Sequence, residues 1–141
     1  MMKERRERIQ RQANILLVDD DPDFIEATKA ILESKYQIIT AYNGNDGLEK
    51  VVEERPDLII LDVTMPEKDG FTVCKELKEN PHYYFFSKIP VLMLTVYPGD
   101  REKANLSMLE GMTMEAEDYI QKPVNPKELL RRAEELLKKH G

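Results

Sequence analysis

Asp62 ends an apolar run, Leu58-Ile59-Ile60-Leu61, and is followed by a Pro/Gly loop, Val63-Thr64-Met65-Pro66-Glu67-Lys68-Asp69-Gly70. Asp19-Asp20-Asp21 ends a second apolar run, Ile15-Leu16-Leu17-Val18. Thr95 closes a third run, and Lys122 follows a short one at Tyr119-Ile120. If these runs are parallel strands, all four features share one sheet edge, where open α/β sheets place their ligands. Carboxylates gathered there repel. At about 5 Å and an effective dielectric near 20, each ionised pair costs roughly 3 kcal/mol. A divalent cation would relieve this, and an all-oxygen site with room for water favours Mg²⁺ or Mn²⁺ over zinc. Lys122 would add a point charge and Thr95 a hydroxyl able to donate to an oxyanion. A carboxylate nucleophile with balanced positive charge is what a transferring phosphoryl group requires.

The elements that must position these groups alternate along the chain. Near-continuous apolar runs at 15–18, 58–61 and 91–95, a weaker one at 36–41 and a short one at 119–120 suit parallel strands buried on both faces. Between them lie helical patterns. Asp21-Pro22 offers an N-cap and a proline at the first helical position, followed by Phe24, Ala27, Thr28, Ile31 and Leu32 at helical spacing. Leu48, Val51 and Val52 mark a second helix that should stop before Pro56. Phe71, Cys74 and Leu77 mark a third, and a fourth should run from about 100 to 110 and end at Gly111. The last helix opens with Asn125, Pro126 and Glu128, a capping-box-like start. Its apolar stripe is Leu129, Leu130, Ala133, Leu136 and Leu137. Five strands alternating with five helices imply a parallel sheet with helices on both faces.

The length, 141 residues, suits one domain with a real core. Residues 1–13 read as a charged tail and 14–141 as the domain. The net charge is −6, but the tail carries +3, from Lys3, Arg5, Arg6, Arg8 and Arg11 against Glu4 and Glu7, leaving −9 on the rest. An acidic body argues against direct nucleic-acid binding, because phosphate contacts need a basic face. Cys74 is the only cysteine, so neither a disulfide framework nor a cysteine zinc site is expected. The apolar run after the basic start is too short for a signal segment or a membrane span, which points to the cytoplasm.

Four motifs now stand in order: Ile15-Leu16-Leu17-Val18-Asp19-Asp20-Asp21; Asp62-Val63-Thr64-Met65-Pro66-Glu67-Lys68-Asp69-Gly70; Pro90-Val91-Leu92-Met93-Leu94-Thr95; and Asp118-Tyr119-Ile120-Gln121-Lys122-Pro123. Together they resemble the receiver domain of bacterial two-component response regulators, over roughly residues 14–139. The resemblance implies a doubly wound five-stranded parallel sheet in the flavodoxin-like order 2-1-3-4-5. It implies that Asp62 is the phosphoacceptor. Asp19, Asp20, Asp62 and the Thr64 backbone carbonyl would hold Mg²⁺, with Asp20 the direct ligand of the acidic pair. Thr95 matches the switch hydroxyl, Tyr119 the switch aromatic and Lys122 the lysine that pairs with the phosphoryl group. The Lys122–Pro123 peptide matches one that is cis in the family. The implied partners are a sensor histidine kinase or histidine phosphotransfer protein and a downstream protein target, with a homodimer as one arrangement open to it. The module would not be an enzyme, beyond slow self-catalysed phosphorylation and dephosphorylation.

Other readings compete. Asp19-Asp20 alone could simply begin a helix. An Mg²⁺-dependent phosphatase of the haloacid-dehalogenase type also uses a strand-end aspartate, but it resembles Asp-x-Asp, and Thr64 stands where the second aspartate would act. A non-phosphorylated receiver-like scaffold is the third reading. Asp69-Gly70 reads as a turn and helix start, Cys74 as buried filler, and Tyr83-Tyr84-Phe85-Phe86 as local packing between the third helix and fourth strand in preference to a partner patch. His82 and His140 have no partner at metal or catalytic spacing. Met108, Met112 and Met114 read as core or adaptable surface. The chain departs from the family between Thr95 and Tyr119, which are several residues further apart than usual, with the excess near 111–117. Tyr97 could gate access to Asp62. The nineteen residues after Lys122 suffice for one helix and no output domain.

Overall fold

The computed structural model of the chain describes residues 12–95 and 116–140. Five strands form one parallel sheet: β1 (Asn14–Val18), β2 (Gln37–Ala41), β3 (Leu58–Asp62), β4 (Val91–Thr95) and β5 (Asp118–Gln121), in the order β2-β1-β3-β4-β5. Helices α1 (Pro22–Leu32), α2 (Gly44–Glu54), α3 (Gly70–Glu79) and α4 (Pro126–His140) cover it, with a 3₁₀ segment, Pro81–Phe86, before β4. This is the expected doubly wound architecture. The helix expected at 100–110, Tyr97, the three methionines, the tail up to residue 11 and most of 111–117 lie outside the described residues.

Side chains alternate across a strand, so each apolar run divides between two cores. Leu16, Val18, Ile59, Leu61 and Met93 face α2 and α3, packing with Leu48, Val51, Val73, Cys74 and Leu77. Ile15, Leu17, Leu58, Ile60, Leu92 and Leu94 face α1 and α4, packing with Ile25, Leu32, Leu129, Ala133 and Leu136. Central β3 and β4 are buried throughout. The edge strands β2 and β5 are only partly covered, which is why their sequences read as weaker or shorter runs.

The helix starts follow their sequence signals. Asp21 caps α1, accepting from the Asp23 N–H at 3.0 Å. Arg55 ends α2 in the left-handed region at φ 46°, immediately before Pro56. Asn125 Oδ1 accepts from the N–H groups of Lys127 and Glu128 at 2.9 and 3.2 Å. The Glu128 carboxylate, however, turns to Arg131 and Arg132 instead of completing a reciprocal box. Charged partners outcompete a backbone N–H there.

The aromatic run needs correction. Phe86 is buried and Tyr83 packs on the α2/α3 core, but Tyr84 and Phe85 are 72% and 88% exposed. A 3₁₀ turn eclipses every third residue, so four consecutive side chains cannot all face inward. Only two of the four fill the space between α3 and β4.

Candidate functional site

The sheet register assembles the polar groups. Val18 pairs with Leu61, so Asp19 follows β1 next to the end of β3, and the Asp19 N–H donates to the Ala41 carbonyl at 3.1 Å. Asp62 is the last residue of β3 and pairs with Leu94. Thr95 lies one residue further along β4, opposite Gln121. The Lys122 N–H donates to the Thr95 carbonyl at 2.8 Å, which carries Lys122 one step past β5. The Lys122–Pro123 peptide is cis, as the resemblance implies.

Lys122 is the hub. Its Nζ is 3.0 Å from Asp62 Oδ1 and 3.2 Å from Asp19 Oδ2. Asp19 and Asp62 are 1% and 2% exposed, whereas Asp20 is exposed. One carboxylate oxygen from each of Asp19, Asp20 and Asp62 lies within 4.8 Å of the others. Asp19 also accepts the Asp21 N–H through Oδ1 at 2.9 Å, which fixes its orientation. The contact of Lys122 with Asp62 Oδ1 is one of charge. Among the described residues, no group meets that buried oxygen in hydrogen-bond geometry.

Burial dominates the electrostatics. It pushes the Asp62 carboxyl up from 3.8 to about 6; Lys122 pulls it back, while the charges of Asp19 and Asp20 push the same way as burial. Burial likewise raises Asp19, against the Asp21 N–H and the Lys122 charge. For Lys122 burial is the largest single influence and is downward. The close contacts with Asp62 and Asp19 and the negative charge they carry together outweigh it, so the ammonium is held above its ordinary value. Three carboxylates gather where one lysine contacts two of them, and among the described residues one buried oxygen lacks a hydrogen bond. That donor set fits a hard divalent cation, which binds through oxygen and would supply the missing positive charge.

The remaining expected site residues are placed as follows. Thr95 is buried, and its hydroxyl donates a long 3.5 Å bond to the Ile120 carbonyl. Tyr119 is partly buried on β5 and packs on the α2/α3 core. Its carbonyl accepts from Arg132 Nη1 at 3.5 Å. Thr64 is exposed in the loop after β3.

Two contributors were not legible as such. Helical spacing marks Phe24 only as a core-facing residue of α1, yet its ring centroid lies 4.4 Å from Lys122 Nζ. Gly70 was read with Asp69 as a helix start, and Asp69 does cap α3 by accepting the Thr72 N–H at 2.8 Å. Gly70 also has a second role. A Cβ there would collide with the Asp62 carbonyl oxygen and lie 2.9 Å from Val63 Cα, so only glycine lets α3 start against the end of β3. A glycine opening a helix just after an acidic strand end was the available signal.

Comparison with known proteins agrees with this geometry. A family described as "Response regulator receiver domain" matches residues 15–134. The alkaline phosphatase synthesis transcriptional regulatory protein PhoP of Bacillus subtilis (strain 168) is 36% identical over 126 residues, which are 89% of this chain and 48% of that protein. The chain thus spans about half the length of this curated relative. Among solved structures, a CheY-like response regulator receiver domain protein from Methanospirillum hungatei JF-1 is 29% identical, with a TM-score of 0.77, over 92% of this chain and 97% of that one. The signal receiver domain of a signal transduction histidine kinase from Syntrophus aciditrophicus is 34% identical, with a TM-score of 0.76, over 90% and 91%.

Proposed function

The chain belongs to the response regulator receiver domain family, and on that premise we propose that Asp62 accepts a phosphoryl group from a phosphohistidine on a partner protein. One observation carries the reading: a buried strand-end carboxylate, 3.0 Å from a lysine, with an oxygen that no hydrogen bond satisfies among the described residues. Asp62 is ionised above about pH 6 and can act as a nucleophile at neutral pH. A carboxylate oxygen of Asp62 attacks phosphorus, the P–N bond breaks, and the electron pair leaves with the imidazole nitrogen. The product is an acyl phosphate, which water later hydrolyses. Lys122 pairs with the incoming oxygens and offsets their charge.

Asp19, Asp20, Asp62 and the Thr64 backbone carbonyl would hold Mg²⁺, with Mn²⁺ as a substitute. That ion, when bound, supplies charge neutralisation to the transferring oxygens. The loosely held Thr95 hydroxyl can turn from the Ile120 carbonyl towards a phosphoryl oxygen. Tyr119 then occupies the space it vacates, so a local charge event alters an outer face of the sheet. We place the receiver domain at 14–141, after a charged tail at 1–13, in the cytoplasm. Among the described residues, no helix is long and apolar enough to cross a membrane. Its partners are a sensor histidine kinase or histidine phosphotransfer protein and a downstream protein, with no direct nucleic-acid contact by this domain. A homodimer is compatible with this scheme.

The test is intact mass after incubation with Mg²⁺ and acetyl phosphate, with Asp62→Asn alongside. The reading requires a phosphoryl adduct on the unsubstituted chain only. An adduct on both, or on neither, refutes it.

A further inference from the structure

Lys122 has a third partner besides the two carboxylates. The ring centroid of Phe24 lies 4.4 Å from its Nζ, within cation–π range. Phe24 occupies the first turn of α1, and that turn is fastened to the site. The Asp21 N–H donates to Asp19 Oδ1 at 2.9 Å, and Asp21 caps the helix through the Asp23 N–H at 3.0 Å. The ring also packs against the α1/α4 core. Its position relative to Asp19 is therefore set by the backbone and by packing.

The lysine needs such a constraint. Its side chain is 28% exposed, so water competes for the ammonium. Two carboxylates can be satisfied by several placements of a flexible four-carbon stem. A ring face adds a non-ionic contact that narrows those placements. The contact also spends none of the oxygens that the phosphoryl reaction uses.

We propose that Phe24 is a positioning residue: its ring holds the Lys122 ammonium at the site while the ammonium's anionic partners change on phosphorylation. This rests on the phosphoacceptor reading of Asp62. The aromatic face is the operative feature, so Phe24→Tyr should preserve the function, whereas Phe24→Leu and Phe24→Met should lose it while retaining apolar bulk.

Two readouts on the full chain test this. In metal-free protein, the Lys122 ε-methylene protons should show an upfield ring-current shift by NMR in the unsubstituted chain and in Phe24→Tyr. The shift should disappear in Phe24→Leu and Phe24→Met. With Mg²⁺ and acetyl phosphate, the Leu and Met variants should form adduct about three- to tenfold more slowly. Phe24→Tyr should stay within about twofold of the unsubstituted chain. Folding of each variant is checked by circular dichroism, and either aliphatic variant suffices. Undiminished rates in the folded aliphatic variants, or a Lys122 shift that survives loss of the ring, would overturn the role of Phe24 and leave Asp62 as phosphoacceptor. No adduct on the unsubstituted chain would overturn the Asp62 reading, and this inference with it.

Discussion

The two ends of the sheet each hold a lysine beside carboxylate, and they use it in opposite ways. At the N-terminal end, Lys78 Nζ donates to the Ser87 carbonyl at 2.9 Å, the Ile89 carbonyl at 2.8 Å and Glu117 Oε1 at 2.8 Å. Glu117 Oε2 accepts the Val91 N–H at 2.6 Å, and the Glu117 N–H donates to the Val91 carbonyl at 3.0 Å. The three ammonium protons match three acceptors. This cluster ties α3, the approach to β4 and the start of β5 together. At the C-terminal end, Lys122 faces crowded carboxylates, and among the described residues a buried Asp62 oxygen lacks a hydrogen bond. One end is satisfied and holds; the other is under-satisfied and is set to react. Strain of this second kind belongs at a functional site, and packing elsewhere compensates for it.

The comparison breaks most visibly if the satisfied end proves unimportant. Lys78→Met removes one partner of a largely buried pair, and we expect a loss of about 2–4 kcal/mol in urea unfolding. A loss below about 0.5 kcal/mol would show that the network does not hold the fold.

The other end should respond with the opposite sign. With its carboxyl raised from 3.8 to about 6, Asp62 binds its proton more tightly in the folded chain than in the unfolded one. Its ionised form therefore costs stability above about pH 6, and that cost fades as pH falls from about 6 towards 3.8. In chelator at pH 7.5, Asp62→Asn should stabilise the chain by about 1–3 kcal/mol. The gain should shrink on acidification through that window. A destabilised Asp62→Asn, or a gain that grows towards pH 4, would contradict the account.

Smaller still is the effect of the cation. Mg²⁺ at about ten times its dissociation constant should add about 1.4 kcal/mol to the unsubstituted chain. The gain should be smaller in Asp62→Asn, which offers one fewer anionic ligand. Melting curves unmoved by millimolar-range Mg²⁺ would remove the metal from the scheme.

Much of this was legible because parallel strands buried on both faces write themselves as apolar runs, and the residues ending those runs must share an edge. Asp62, Asp19 and Lys122 followed from that rule alone. What stayed hidden depends on distances that sequence does not encode. Lys78 and Glu117 lie 39 residues apart, one near the end of α3 and the other just before β5, with no local pattern to pair them. Phe24 reads as core by its spacing, and no local pattern shows that its ring meets Lys122 from a distant part of the chain. Gly70 showed its turn chemistry but not the close approach of helix to strand that excludes a side chain. Tyr84 and Phe85 are exposed against the expectation of local packing, because a 3₁₀ turn points side chains in three directions and hydrophobicity alone does not imply burial.

The central claim is that the under-satisfied end of the sheet reacts through one carboxylate. Borohydride reduces an acyl phosphate to an alcohol, converting a phosphorylated aspartate into homoserine. Peptide mapping after treatment with Mg²⁺, acetyl phosphate and borohydride should find homoserine at position 62 and aspartate retained at positions 19 and 20. Homoserine at 19 or 20, or aspartate intact at all three positions, would contradict it.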